Sequence, residues 1–298
     1  VKKHLEEKIY SASVIIISFV LFSSLLIGIY SHKISERKLE STGTFISEHL
    51  AYVYASPNET IEATIYWCPL RLEKNTSITA YAPNLNSWVK YRGKELKRSS
   101  RGYFELQIPI TPWYIGTYEL RNLKLNVSIW TSNTKQKLIL PFGNWSFEVV
   151  FNTSSDLLIT EFNSKIFTVE EATKLIAYEI GLFNPTDRNI YVTNIAYNLN
   201  ASKVRTIAIA CYNATSILNL PSIHNASDIP ENNILPVTGC LIPSREKRYI
   251  VVYIKVNPSV KMLLLRPKIE YKIDNRTRFM PGGIMEFTRV QKSCMSQS

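Results

Sequence analysis

One uncharged stretch constrains this chain more than any other feature. Residues 9–31 contain no Asp, Glu, Lys or Arg, and their centre, Val14-Ile-Ile-Ile-Ser-Phe-Val-Leu-Phe, is almost wholly apolar. As a helix the stretch spans roughly 35 Å, enough to cross a hydrocarbon core of about 30 Å with some tilt. Tyr10 and Tyr30 lie near its ends, where amphipathic rings prefer the headgroup layer. A cleaved signal peptide fits less well. Its apolar region would run about 7–15 residues, and the position three residues before a cut after Ser31 would hold the bulky Ile29. The spacing therefore predicts a retained, single-pass transmembrane helix.

Positive charge does not orient that helix, because Lys2, Lys3 and Lys8 before it match Lys33, Arg37 and Lys38 after it. The Asn-x-Ser/Thr acceptors do. Asn58, Asn75, Asn126, Asn144, Asn152, Asn200, Asn213, Asn225 and Asn275 each begin one, and all lie after the helix. Chance would give about three or four in a chain of this Asn, Ser and Thr content. Asn184-Pro-Thr and Asn257-Pro-Ser fail the rule through their prolines. The plain reading is Asn- and Thr-rich loops without sugar; the sharper one is an exported, glycosylated C-terminal region. The second sets the expected topology: a cytoplasmic N-terminus and an extracellular ectodomain at the cell membrane.

The expected organisation is a short cytoplasmic segment at 1–8, the helix at 9–31 and a polar stalk at 32–43. Two β-sandwich domains follow at 44–152 and 156–290, then a tail at 291–298. The polar run Asn152-Thr-Ser-Ser marks the boundary. The fold class is all-β, because period-2 alternation dominates after the stalk. Phe104, Leu106 and Ile108 alternate with Glu105 and Gln107, and Leu123, Leu125, Val127 and Ile129 alternate with Lys124, Asn126 and Ser128. Ile176, Tyr178, Ile180 and Leu182 share one face, and the turn signal Asn184-Pro-Thr-Asp suggests a hairpin into a strand starting at Ile190. Sheets with one apolar face need a facing sheet, which favours antiparallel sandwiches.

The net charge of +11 comes from scattered Lys and Arg, so no nucleic-acid partner is expected. The densest basic run, residues 90–101, reads as a solvated hairpin loop, or alternatively as contact with an anionic surface such as lipid headgroups or acidic glycans. Four cysteines, Cys68, Cys211, Cys240 and Cys294, lack the paired spacings of a metal site. In an oxidising compartment Cys211 and Cys240 are candidates for a disulfide, with Cys68 able to compete for either. No metal or cofactor is expected.

No HExxH, GxSxG, CxxC or phosphate-loop motif occurs, and no catalytic residue is assigned. Glu161, Glu170, Glu171 and Glu179 supply carboxylates, but nothing singles out a glycosidase pair. His49 reads as a strand-surface residue. Trp67, Trp88, Trp113, Trp130 and Trp145 all fall in the first half, for packing or as a sugar-stacking or partner-binding platform.

The run from Tyr178 to Ile195 (Tyr178-Glu-Ile-Gly-Leu-Phe-Asn-Pro-Thr-Asp-Arg-Asn-Ile-Tyr-Val-Thr-Asn-Ile), with Pro267-Lys-Ile-Glu-Tyr-Lys-Ile and Gly116-Thr-Tyr-Glu-Leu-Arg-Asn-Leu, resembles the Ig-like or fibronectin-like modules of archaeal and bacterial cell-surface proteins. That resemblance implies adhesion, scaffolding or assembly with other envelope proteins or glycans. A pilin-like or secretion-system component is the alternative, although no small residue follows a basic one ahead of the apolar run. An envelope glycan hydrolase with a dispersed site is the second alternative.

Overall fold

A computed structural model of the chain describes residues 22–24, 43–290 and 294, except 71, 74, 100, 101, 113, 133, 152–155, 164, 169–174, 224 and 237. The expected membrane helix thus lies almost entirely outside the described residues; Phe22, Ser23 and Ser24 are helical. Among the described residues no helix is long and apolar enough to cross a membrane.

The body is all-β. Its first half holds β1 (Thr44–Ile46), β2 (His49–Ala55), β3 (Ile61–Cys68), β4 (Ser77–Ala82), β5 (Ser87–Arg92), β6 (Lys97–Arg98), β7 (Phe104–Ile110), β8 (Gly116–Trp130) and β9 (Lys135–Val149). Its second half holds β10 (Leu158–Phe162), β11 (Lys165–Thr168), β12 (Ile176–Phe183), β13 (Ile190–Ala196), β14 (Val204–Tyr212), β15 (Cys240–Ile242), β16 (Lys247–Val256), β17 (Met262–Arg266), β18 (Lys268–Ile273), β19 (Arg276–Pro281) and β20 (Met285–Val290).

Four sheets result, in the strand orders β1-β3-β7-β6, β10-β12-β16-β14, β15-β13-β18-β19 and β11-β20-β17-β2-β9-β8-β4-β5. The last crosses the boundary expected at residues 152–155. Strand β2 runs parallel to β9 on one side, with His49 opposite Gly143, and parallel to β17 on the other, with Met262 opposite His49. Parallel neighbours require long crossovers; the one from β2 to β9 stays within the first half, and the pairing of β2 with β17 joins the first half to the second. The described residues of Phe45–Cys68 and Glu73–Ser298 form one compact unit.

The alternation read from sequence is realised in the first half. Leu106 and Ile108 of β7 and Leu125, Val127 and Ile129 of β8 are buried, and Ser87 and Tyr91 of β5 donate across the layers to the Pro109 and Gln107 carbonyls. In the second half one core combines Ile180 and Val252, Val192 and Tyr271, and Tyr52 and Leu265, so three sheets contribute to it. Polar ties cross the same seam. Lys268 pairs with Glu148 at 2.6 Å, Tyr52 Oη donates to Glu148 at 2.9 Å, and Arg266 pairs with Glu59 at 2.5 Å.

The turn at Asn184 is not a hairpin. Strands β12 and β13 belong to different sheets, so the turn carries the chain from one layer to the other. Asn184 explains the geometry, because its buried Nδ2 donates to the Arg188, Ile242 and Pro243 carbonyls at 2.7, 3.0 and 3.1 Å. Those bonds hold the loop against the end of β15.

Both pairs of cysteines are joined, Cys211 to Cys240 with Cα atoms 5.9 Å apart and Cys68 to Cys294 at 5.6 Å. The first closes the base of the segment 213–235. That segment is irregular apart from short 3-10 turns at Ile217–Asn219, Ala226–Asp228 and Glu231–Asn233, and its Ile223 and Ile229 pack on Tyr249 and Tyr253. The second ties position 294, expected in a loose tail, to the end of β3.

Candidate functional site

The outer face of the β5-β4-β8-β9 end of the large sheet combines exposed aromatic rings with unbalanced positive charge. Its composition follows from register. The buried Ile78, Ala80, Val127, Ile129, Leu138 and Leu140 line the inner side, so their alternate neighbours must face outward.

Cross-strand pairing arranges those outward residues in rows. Trp88, Tyr81, Asn126 and Ile139 form one row; Lys90, Thr79, Ser128 and Lys137 form the next; Arg92, Ser77, Trp130 and Lys135 form the third. Lys124, opposite Pro141, extends the surface beyond the first row. Trp88 is 61% exposed, Ile139 68% and Trp130 41%. The Trp88 ring leans on Tyr81 at 5.5 Å, and the Lys135 ammonium sits 3.7 Å above Trp130.

The rows contain Lys90, Arg92, Lys135 and Lys137, with Lys124 just beyond them, and no carboxylate. Among the described residues no acidic side chain pairs with Lys90, Lys124 or Lys137. Glu95, at the tip of the following turn, accepts the Arg92 backbone N–H at 3.2 Å. The surface is therefore a net source of positive potential.

Beyond Lys124 the face ends in an open cleft of about 640 Å³, where β8 and β9 are irregular. Asn122 and Gly143 adopt positive φ there, 52° and 92°, and Asn122 N donates to Asn144 Oδ1 at 2.9 Å. Charges at the cleft largely cancel. Glu48 pairs with Lys261 at 2.8 Å and Glu119 with Arg121 at 2.7 Å, leaving Lys203 as an additional cation on its wall.

His49 borders the cleft but is buried, which corrects its expected place on a strand surface. Its Nδ1–H donates to the Ser47 carbonyl at 2.8 Å, and its ring packs against Phe142 and Trp145 at 5.2 and 5.3 Å. Burial lowers its pKa to about 4, so the ring stays neutral.

The two described residues among the acidic ones named from sequence, Glu161 and Glu179, each engage non-acidic partners. Glu161 accepts from Lys247, from Tyr249 Oη at 3.0 Å and from Ile217 N at 3.0 Å, and these bonds, the lysine's first, hold its carboxyl well below the usual range. Glu179 accepts from Asn163, and Glu170 and Glu171 lie outside the described residues. The carboxyl pushed up most, to about 7 by burial, is Glu286 on β20. It accepts the Thr64 N–H at 2.7 Å and does not line the cleft.

The acceptor asparagines Asn58, Asn75, Asn126, Asn144, Asn200, Asn213, Asn225 and Asn275 are all exposed, and Asn152 lies outside the described residues. Asn126 stands within the basic face, while Asn144 and Asn200 line the cleft. At Asn200 the Oδ1 accepts from Ser202 N and Oγ at 2.9 and 2.8 Å.

The tryptophans divide between packing and surface. Trp67 and Trp145 are core, Trp88 and Trp130 are exposed on one sheet face, and Trp113 lies outside the described residues. Sequence reading placed Lys90 and Arg92 in a loop, whereas both lie on β5. The available signal was the short period-2 run Ser87-Trp-Val-Lys-Tyr-Arg, which sends Trp88, Lys90 and Arg92 to the same side.

No protein-family model and no curated protein matches the chain. Among solved structures, the ASH/PapD-like domain 7 of human CEP192 aligns with 37% of this chain and 86% of its own length, at 10% identity and TM-score 0.24. A Corynebacterium diphtheriae protein assigned as membrane-anchored aligns with 82% of this chain and 59% of its own length, at 8% identity and TM-score 0.28.

Proposed function

We infer that the chain is a non-catalytic binding or structural protein of the cell envelope. It is held in the membrane by residues 9–31, with residues 1–8 on the cytoplasmic side and a glycosylated β ectodomain outside. The observation that carries the binding role is the open basic and aromatic face on β5-β4-β8-β9, in a body whose other long strands bury their apolar sides. The export reading rests on the uncharged stretch and on the exposure of all eight described acceptor asparagines. A bulky sugar needs that exposure. Two disulfides in one chain are in keeping with an oxidising compartment.

Protease treatment of intact cells, with mass analysis of the released fragments, tests this reading. The expected result is release of glycan-bearing peptides from the region after residue 43. Complete protection of that region on intact cells, with digestion after lysis, overturns it.

A further inference from the structure

We propose that the open β5-β4-β8-β9 face is a binding site for an acidic polysaccharide, with Trp88 as the ring-stacking anchor and Lys90, Lys124 and Lys137 receiving its anionic groups. The proposal deepens the envelope-binding reading and rests on it for the location of the ligand.

The face is broad and shallow rather than pocket-like, which suits a chain-shaped ligand more than a small molecule. Neighbouring strands lie about 4.8 Å apart and residues on one strand rise about 3.4 Å each. Trp88 and Trp130, separated by two strand steps and four residues along β8, therefore stand roughly 16 Å apart on the diagonal. Lys90, Thr79, Ser128 and Lys137 occupy the row between them. A polymer laid along that diagonal meets an exposed ring, then a row with an ammonium at each end, then the Trp130–Lys135 pair.

Charge complementarity selects the sign of the ligand: four cations and no carboxylate occupy the rows, and Lys124 adds a fifth at their edge. Hydroxyls and an amide between the cations, from Thr79, Ser128 and Asn126, offer the hydrogen-bonding partners that a polyhydroxylated ligand requires. A bilayer fits less well. Membrane-surface binding needs an apolar side that enters the acyl boundary, whereas here the rings are interleaved with lysines on a pleated sheet. Asn126 adds a condition, because a sugar attached there would occupy the same row as Trp88.

The test uses the full chain in phosphatidylcholine nanodiscs free of detergent, freed enzymatically of N-linked sugar, and titrates it with an oligogalacturonate and with a neutral galactan of equal length. The expected result is salt-sensitive binding of the oligogalacturonate and at least about tenfold weaker binding of the neutral polymer. Trp88→Ala weakens the interaction about tenfold or more, as loss of an aromatic anchor does. Lys90→Gln with Lys137→Gln weakens it and flattens its salt dependence, while Leu218→Ala, outside the face, retains it. Variants are compared only where their thermal unfolding matches that of the parent chain, and Trp88→Leu replaces any alanine variant that fails this criterion. Equal binding of the neutral polymer, unchanged binding by the double lysine variant, or tighter binding of phosphatidylglycerol vesicles or an oligothymidylate overturns the proposal. A chain released from intact cells by protease that binds none of these probes overturns the ligand class while leaving surface display standing.

Discussion

Two buried titratable side chains give the fold opposing responses to pH. The Glu286 carboxyl is held near 7 by burial, so the folded chain binds its proton more tightly than the unfolded chain does. Its contribution is fully present at pH values below the ordinary carboxylate range and is lost as the pH rises through about 7. His49 has the reverse sign. Burial lowers its pKa to about 4, so its contribution is present above the ordinary imidazole range and is lost as the pH falls toward 4. Glu286→Gln keeps an acceptor for the Thr64 N–H and removes the charge. Urea unfolding should show it more stable than the parent at pH 8, on the order of 1–3 kcal/mol, with little difference at pH 4. A variant equally or less stable at pH 8 would contradict the buried-acid reading. None of this was legible in the amino-acid order. His49 begins a strand buried along almost its whole length, whose sequence gives no sign of the Phe142 and Trp145 rings packed against it, and Glu286 meets Thr64 across 222 positions.

At the scale of elements, the irregular stretch of β8 and β9 turns the strands where the cleft opens, and Gly143 is its critical position. Its φ is +92°, and a Cβ there would lie 1.8 Å from the His49 carbonyl oxygen and 2.6 Å from the His49 nitrogen. Both atoms are backbone of the adjacent parallel strand, so no side-chain rotation relieves the overlap. Gly143→Ala should cost about 3 kcal/mol or more in denaturant unfolding; a loss below about 1 kcal/mol would mean that β2 and β9 can separate there. Individual strands were the most readable part of the fold. The alternations through Leu106, Leu125, Ile180 and Tyr271 named their buried faces correctly because one face of each meets another layer. The Asn184 turn was misread because its sequence chemistry signals a change of direction without saying which sheet receives the next strand. The basic face was half-read: its tryptophans and lysines stood out, but strand pairing alone puts Trp88, Asn126 and Ile139 in one row.

At the scale of the whole molecule, the large sheet binds the two halves of the chain through β2, and the Cys68–Cys294 disulfide binds them again over a separation of 226 residues. Sequence patterning could not reveal this, since a strand covered on both faces looks alike whether its neighbours come from nearby or from the far end of the chain. A protease site inserted at residues 152–155 and cleaved after folding tests the arrangement. The two pieces should co-elute under native conditions, remain joined in denaturing gels without reductant, and separate only when reductant is added. Separation of the pieces under native conditions once reductant has opened the disulfide would refute the shared sheet. On the proposed topology, in which the residues before the membrane segment stay cytoplasmic, the same arrangement sets a timetable for an ectodomain that emerges from its residue-43 end first. Strand β2 can meet β9 once residue 149 has emerged, but its other edge waits for β17, which ends at Arg266. Until that late segment arrives, Tyr52, Val53 and Tyr54 border an open hydrogen-bonding edge that the corresponding segment of a second nascent chain can occupy. On the proposed export route, slow or interrupted translocation therefore exposes this protein to intermolecular strand exchange at residues that end up buried.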